Sequence, residues 1–365
     1  MVFCETTYQL LNSLNLIASV YKEECTICLP QTMRTSSIAI RLKEGEAGYI
    51  KKVYYGRWNI QQRTLIQKIL FKLHRMIVGN DRGYIRSVYP DIDPEKKYSR
   101  IICSKNGVFA ASFYNLCTHK PDIIQIEDGL GDYLPIPNES DPTILSITKE
   151  KFSWEPDLLP QRDGYPVRKM PRLSQEKAFL DMLERVFGYR EILPQYKKFI
   201  YFGQPYASDY DMPTFADRDK KCFSLFSRTV RDQLSVKLHP RSAGDTEICG
   251  SMIRTLVPWE CCIGELEDLD NRVLIAVSST TLLMPKFMWG KEPYLIILAR
   301  LYEDLLSCLY AETGYYQRML RFFEQVRGLY SQPEKVFIPR DFQELKEILL
   351  MLQKKEPRNK RKDSP

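Results

Sequence analysis

The chain has 365 residues, 44% hydrophobic and 27% charged, which excludes a collagen-like, disordered or small disulfide-stapled protein. That length exceeds what one hydrophobic core ordinarily serves, so two domains are expected. Lys and Arg outnumber Asp and Glu by 53 to 46, a net +7, and residues 353–365 hold six Lys/Arg against two acids; with +4 in that tail, the body is too nearly neutral to argue for nucleic acid.

Along the chain the pattern is strand, helix, strand, repeated. Val2 to Cys4 reads as a short strand, and Tyr8 to Tyr21 has helical spacing through Leu10, Leu11, Leu14, Ile17 and Val20. Cys25 to Leu29 is again a strand. Gln61 to Val78 reads as a basic amphipathic helix, with Leu65, Ile69, Leu70, Leu73 and Ile77 among Lys68, Lys72, His74 and Arg75. A second copy follows, with strand Arg100 to Ser104, helix Gly107 to Thr118 and strand Asp122 to Ile126. Pro135 to Pro171 holds seven prolines and no long period, so it reads as irregular. Leu173 to Tyr189 is helical, and the stretch around Pro194 reads as a linker.

The alternation then restarts with strand Phe199 to Gly203, helix Asp217 to Leu234 and strand Ser235 to Leu238. Strands Arg272 to Val277 and Tyr294 to Leu298 follow, then helices Gly314 to Tyr330 and Asp341 to Leu352. Asp341 is placed to cap the last helix, with Glu344 at the capping-box position. Such alternation implies parallel sheets with right-handed crossovers. The expected divisions are an N-terminal βα domain over 1–190, a linker over 191–198, a second βα domain over 199–312, C-terminal helices over 313–352 and a basic disordered tail over 353–365.

Ten cysteines do not make an oxidised framework, because Cys4, Cys25, Cys28, Cys103 and Cys117 sit in or beside apolar runs and read as buried thiols. Cys25-x-x-Cys28 and adjacent Cys261 and Cys262 lack a second pair or nearby histidines, so no metal site is expected. No basic, apolar, small-residue leader opens the chain, and no window approaches eighteen consecutive apolar residues. A cytoplasmic location follows as the expectation.

In open α/β sheets, ligands gather beyond the carboxyl ends of strands, and three polar clusters fall there. The first is Glu127-Asp128-Gly129-Leu130-Gly131-Asp132-Tyr133. Two adjacent carboxylates repel, which suits a general base taking a proton from a hydroxyl, although an Asp-Gly turn is common at strand ends. The second is Lys237-Leu238-His239-Pro240-Arg241, where alternation puts Lys237 and His239 on one face with Leu238 in the core. A protonatable His between two cations suits a phosphate and its departure. The third is Ser278-Ser279-Thr280-Thr281, whose hydroxyls at a strand-to-helix junction suit an anion or plain N-capping.

Taken in order, Thr7-Tyr8-Gln9, Glu127-Asp128-Gly129, His239-Pro240-Arg241 and Ser278-Ser279-Thr280 resemble the bacterial sialyltransferases. The Thr-x-Gln opening and His-Pro-Arg look most like glycosyltransferase family 52, the lipooligosaccharide and capsule sialyltransferases. The resemblance runs from Val2 to about Leu352 on some fifteen positions. It implies an α/β GT-B fold, two Rossmann-type domains facing a central cleft. It also implies inverting, metal-independent transfer of sialic acid from CMP-sialic acid to a sugar hydroxyl of a cell-surface glycan.

By the same resemblance, His239 meets and protonates the CMP phosphate, assisted by Lys237, Pro240 and Arg241. Ser278, Ser279 and Thr280 bind that phosphate, Gly203 lies beside the donor, and Glu265 or Glu267 holds the ribose. Asp128 is the base with Glu127 beside it, and Gly129, Thr7 and Gln9 line the acceptor side. One departure stands out. Where family 52 members can carry Gly-Ser-Pro-Asp, with the Asp proposed as base, this chain reads Gly203-Gln204-Pro205-Tyr206, and Asp209 and Asp211 follow.

No cofactor or metal is implied; the partners are a nucleotide-sugar donor and a glycan or glycolipid acceptor, with a homodimer left open. Lys354, Lys355, Arg358, Lys360, Arg361, Lys362 and the 61–78 helix suit peripheral contact with the anionic inner face of the cell membrane. The alternatives are a GT-B glycosyltransferase using another nucleotide sugar, or a non-catalytic βα binding protein.

Overall fold

The computed structural model describes residues 1–31, 33–43, 47–56, 81–136, 142–160, 164–191, 193–206, 213–239, 250–255, 257–309, 311 and 314–355. The 61–78 helix, Pro240, Arg241, Asp209, Asp211 and the tail beyond 355 therefore lie outside the described residues. The chain divides into two compact units, Met1–Glu191 and Ile192–Pro365.

The first unit is built on seven strands: β1 Val2–Phe3, β2 Cys25–Leu29, β3 Ile50–Tyr55, β4 Arg100–Cys103, β5 Asp122–Ile126, β6 Thr148–Ser153 and β7 Val167–Lys169. They pair in the order β3-β2-β1-β4-β5-β6-β7, every pair parallel. The central strands are short and apolar because helices cover both faces, and β2 is buried along its whole length. Helix Thr7–Leu16 follows β1, capped by the Thr6 hydroxyl, which accepts from the Gln9 amide at 3.1 Å. Leu10, Leu11 and Leu14 are wholly buried, each worth about 1.5–3 kcal/mol. A π-helical turn, Ile17–Tyr21, extends this helix and ends at Lys22 with φ 52°. The added residue per turn rotates Val20 outward, so it is exposed rather than on the apolar face that the spacing suggests. Phe3, Tyr89, Phe109 and Phe113 form an aromatic core, with Phe3 and Phe113 centroids 5.5 Å apart.

The second unit carries β8 Phe199–Phe202, β9 Leu234–Lys237, β10 Ser251–Met252, β11 Val273–Ala276, β12 Tyr294–Ile297 and β13 Val336–Phe337. Their order is β10-β9-β8-β11-β12-β13, again parallel throughout. Tyr201, Phe223 and Phe226 pack beneath β8. The last helix, Phe342–Lys354, starts as expected with the Asp341 carboxylate accepting from the Glu344 amide at 2.8 Å. The reciprocal bond differs: Glu344 accepts from the Arg340 amide, one residue earlier than a capping box requires, and from Arg340 Nε. At the other end Lys198 donates to the carbonyls of Gln353 and Lys355, neutralising the helix C-terminus.

Both sheets wind outward from a central first strand, so each has a switch point, between β1 and β4 in one and between β8 and β11 in the other. The stretch expected to be irregular, 135–171, contains β6 and β7. β6 reads Thr-Lys-Glu-Lys-Phe-Ser, and its charged residues conceal a strand whose Lys151 is buried against an acid. The expected helix to Leu234 ends at Thr229, because a tight turn at Arg231–Gln233 intervenes and Leu234 opens β9. The nine described cysteines are free thiols, eight of them buried. Cys25 and Cys28, three apart on one strand, point to opposite faces and cannot grip one ion. Among the described residues no group of three His, Cys, Asp or Glu could hold a metal, and no helix is long and apolar enough to cross a membrane.

Candidate active site

The carboxyl edge of the first sheet gathers Glu127 and Asp128 from β5 with the start of the helix after β1. Glu127 is completely buried. Its Oε2 accepts from the Tyr133 hydroxyl, the Ser153 hydroxyl at 2.7 Å and the Trp154 amide at 2.9 Å; Oε1 accepts from Tyr8 at 3.2 Å. Burial outweighs these donors and pushes its carboxyl up to about 7. Glu127 is thus walled in by four donors, and its main-chain carbonyl takes a fifth from Asn12 at 3.1 Å. That is the geometry of a brace.

Asp128 differs. It is half-buried, and its Oδ1 accepts from Gln9 Nε2 at 2.8 Å. Its main-chain N–H donates to Asp132 Oδ2 at 2.6 Å, and Lys151, with 7% of its side chain exposed, meets the other Asp132 oxygen at 2.5 Å. Gly129 adopts φ 84° and ψ −145°, a region closed to side-chain-bearing residues, which explains the glycine after the acid pair. Lys105, from the end of β4, donates to the Gly131 carbonyl at 2.8 Å. Glu5 lies on the rim, exposed over its surface yet ringed by protein; this desolvation, then the Asp128 charge, pushes its carboxyl up to about 7. Thr7 is buried at the first position of its helix.

On the second sheet, β9, β8 and β11 are adjacent, and their carboxyl ends carry Lys237 to His239, Gly203, and Ser278 to Thr280. At about 4.8 Å per strand, the outer two ends lie on the order of 10 Å apart. Lys237 and His239 are half-buried, and Lys237 Nζ reaches the Thr255 carbonyl at 3.4 Å. Leu238 is only half-buried and packs over Gly203 instead of sinking into the core. A Cβ at Gly203 would lie 2.9 Å from Leu238 Cδ2 and 3.3 Å from Leu238 Cα, so this glycine lets the β8 and β9 ends approach. The Gly203 amide donates to the Lys237 carbonyl at 2.9 Å.

Ser278 is buried, with its hydroxyl 2.5 Å from that of Tyr206. Tyr206 stacks on Phe215, which stacks on Tyr302. Ser279 caps the turn Thr280–Leu282, accepting from the Thr281 amide at 3.3 Å, so the capping role is realised. Glu265 and Glu267 are both exposed. Burial pushes the Cys262 thiol up to about 12.

Sequence reasoning missed Tyr8, Lys105, Asp132, Lys151 and Tyr206 as site components. Tyr8, Asp132 and Tyr206 lie inside the sequence motifs themselves, whereas Lys151 lies in a charged run that looks like a solvated surface.

No protein-family model matches the sequence, and no curated protein matches it. Among solved structures, UDP-GlcNAc 2-epimerase of Methanocaldococcus jannaschii in complex with UDP-GlcNAc and UDP superposes with a TM-score of 0.51 at 11% identity, over 98% of this chain and 93% of that one. Arabidopsis thaliana UGT89C1 complexed with UDP aligns at TM-score 0.42 and 10% identity, over 96% and 98% of the two chains. Spinosyn rhamnosyltransferase SpnG aligns at 0.43 and 11%, over 97% and 99%. The fold is α/β and GT-B-like. Identities this low speak to fold alone.

Proposed function

We propose that this chain is a glycosyltransferase, and specifically an inverting sialyltransferase that moves sialic acid from CMP-sialic acid to a hydroxyl of a glycan or glycolipid. One observation carries the reading. Three neighbouring strand ends of one sheet present a cation, an imidazole, a close-approach glycine and two serine hydroxyls within the span of a nucleoside monophosphate.

In this mechanism Lys237 and the Ser278 and Ser279 hydroxyls hold the departing phosphate, and His239 gives it a proton as the glycosidic bond breaks. Pro240 and Arg241 follow His239 directly in sequence, and Glu265 or Glu267 holds the ribose. Asp128 takes the proton of the acceptor hydroxyl; Gln9 holds its carboxylate, Glu127 and Gly129 set its backbone, and Thr7 supports the helix that carries Gln9. Phosphate charge is met by protein cations, so no metal takes part. The basic tail suits an anionic membrane face, where a lipid-linked acceptor would lie.

The second reading is a UDP-sugar donor, favoured by the epimerase holding UDP-GlcNAc on a similar fold. Purified protein incubated with labelled CMP-sialic acid, UDP-sugars and a panel of galactosides and sialosides, EDTA present, separates the two. Transfer from CMP-sialic acid alone is expected, and His239→Ala lowers kcat by about 100-fold or more. Turnover of UDP-sugars alone would install the second reading. Unchanged donor turnover in His239→Ala would remove the mechanism.

A further inference from the structure

The Asp132–Lys151 pair is buried almost completely, with 1% and 7% of the two side chains exposed. Such a pair is a poor device for stability alone, because stripping water from two ions costs about what their attraction returns. It also lies one bond from the proposed base: Asp132 Oδ1 meets Lys151, and Oδ2 accepts the Asp128 main-chain N–H at 2.6 Å. Directly after Asp128 comes Gly129 at φ 84° and ψ −145°, a backbone that only glycine adopts freely, and the surrounding groups fix where it leads. The Gly131 carbonyl is held by Lys105 at 2.8 Å, and Asp132 donates its own N–H back to the Gly129 carbonyl at 3.0 Å.

We infer that Asp132 and Lys151 are positioning residues, which clamp the Asp128 backbone while Gln9 clamps its carboxylate, so that the acid meets an incoming hydroxyl in one fixed orientation. The inference rests on the reading of Asp128 as the base. Asp132 faces the Lys151 ammonium through Oδ1, which leaves Oδ2 to accept the Asp128 N–H. A clamp of this kind acts on kcat, since misplacing a reacting group by an ångström costs about 100-fold while substrate binding elsewhere is untouched.

The test replaces the pair with apolar residues, Asp132→Leu with Lys151→Met, against Asp132→Asn with Lys151→Met, which drops both charges but keeps an acceptor oxygen. Two measurements are made on the full chain: amide exchange of the peptide covering residues 127–131, and transfer kinetics. The apolar pair is expected to speed exchange there about tenfold and lower kcat about 30-fold or more, with the donor KM within about threefold. The asparagine variant keeps protection and stays within about threefold of wild-type kcat. Should the leucine variant not fold, Asp132→Ser with Lys151→Met, too short to reach the N–H, supplies the same contrast. A folded variant lacking the acceptor that keeps full protection or full kcat overturns the inference. If wild-type protein turns over no nucleotide sugar, the proposed function falls on its own, and the exchange comparison still decides whether the clamp exists.

Discussion

The two candidate edges handle polar groups in opposite ways. On the first sheet, acids are sunk into the protein and satisfied from many sides: Glu127 by Tyr8, Tyr133, Ser153 and Trp154, and Asp132 by Lys151 and the Asp128 amide. On the second, Lys237, His239, Ser279 and Thr280 are half-buried at strand ends, and only Ser278 is enclosed. Asp128, the proposed base, is itself half-buried, and what these enclosed neighbours give it is a fixed geometry. A site for a charged phosphate gains from keeping its cations and amides within reach of solvent until the ligand arrives. Rigidity therefore concentrates where a weak base has to be made effective.

The sharpest way to break this contrast is to remove the deepest acid. Glu127→Leu strands the Tyr8, Tyr133 and Ser153 hydroxyls and the Trp154 amide without their acceptor, and is expected to cost about 3–5 kcal/mol in denaturant unfolding of the first unit. A cost under about 1 kcal/mol would show that the brace is decorative.

Titration sharpens the comparison further. Glu127 is raised to about 7 by burial, so the folded state binds a proton that the unfolded chain has already lost. Its contribution is full below about 4.5 and declines as pH climbs to 7, by about 3 kcal/mol. Glu292 of the second unit runs the other way. Burial opposes its charge, but Lys286 and the Ser331 hydroxyl and amide hold it down at about 2. Its contribution is present above about 4.5 and lost as pH falls towards 2. Unfolding followed from pH 3 to 8 is expected to show both slopes, with Glu127→Gln reducing the upper one to the share that Glu5 carries and leaving the lower one unchanged.

Smaller effects belong to the second edge. Gly203→Ala forces a Cβ against Leu238 and is expected to cost about 1–3 kcal/mol while weakening CMP binding, measured by calorimetry. Ser279→Ala removes one cap, at about 1 kcal/mol. If that cap cost as much as the loss of Glu127, the two edges would not differ as described.

The apolar central strands of both sheets were legible because strands buried on both faces read as apolar runs, as Val273–Ala276 does outright and Ile123–Ile126 does with Gln125 as its one polar residue. β3, β6, β7 and the two-residue strands β10 and β13 were not, since β3, β7, β10 and β13 are short or mixed edge strands and β6 carries charges along its first half. The acid pair, the imidazole and the serine pair were visible as letters after apolar runs. Which acid is enclosed and which is half-exposed was not visible, because adjacent residues on a strand end face opposite ways and their partners come from 26 residues on for Ser153 and 119 back for Tyr8.

The amino-acid sequence by itself determined the alternation of strands and helices and the order of polar groups at strand ends, since both follow from local hydrophobic period and backbone chemistry. Tertiary structure alone decided that β9, β8 and β11 stand side by side, that Tyr206 meets Ser278, and that Lys151 is buried against Asp132. Those are contacts between residues far apart in the chain. Their energies come from desolvation and packing, which no local pattern records.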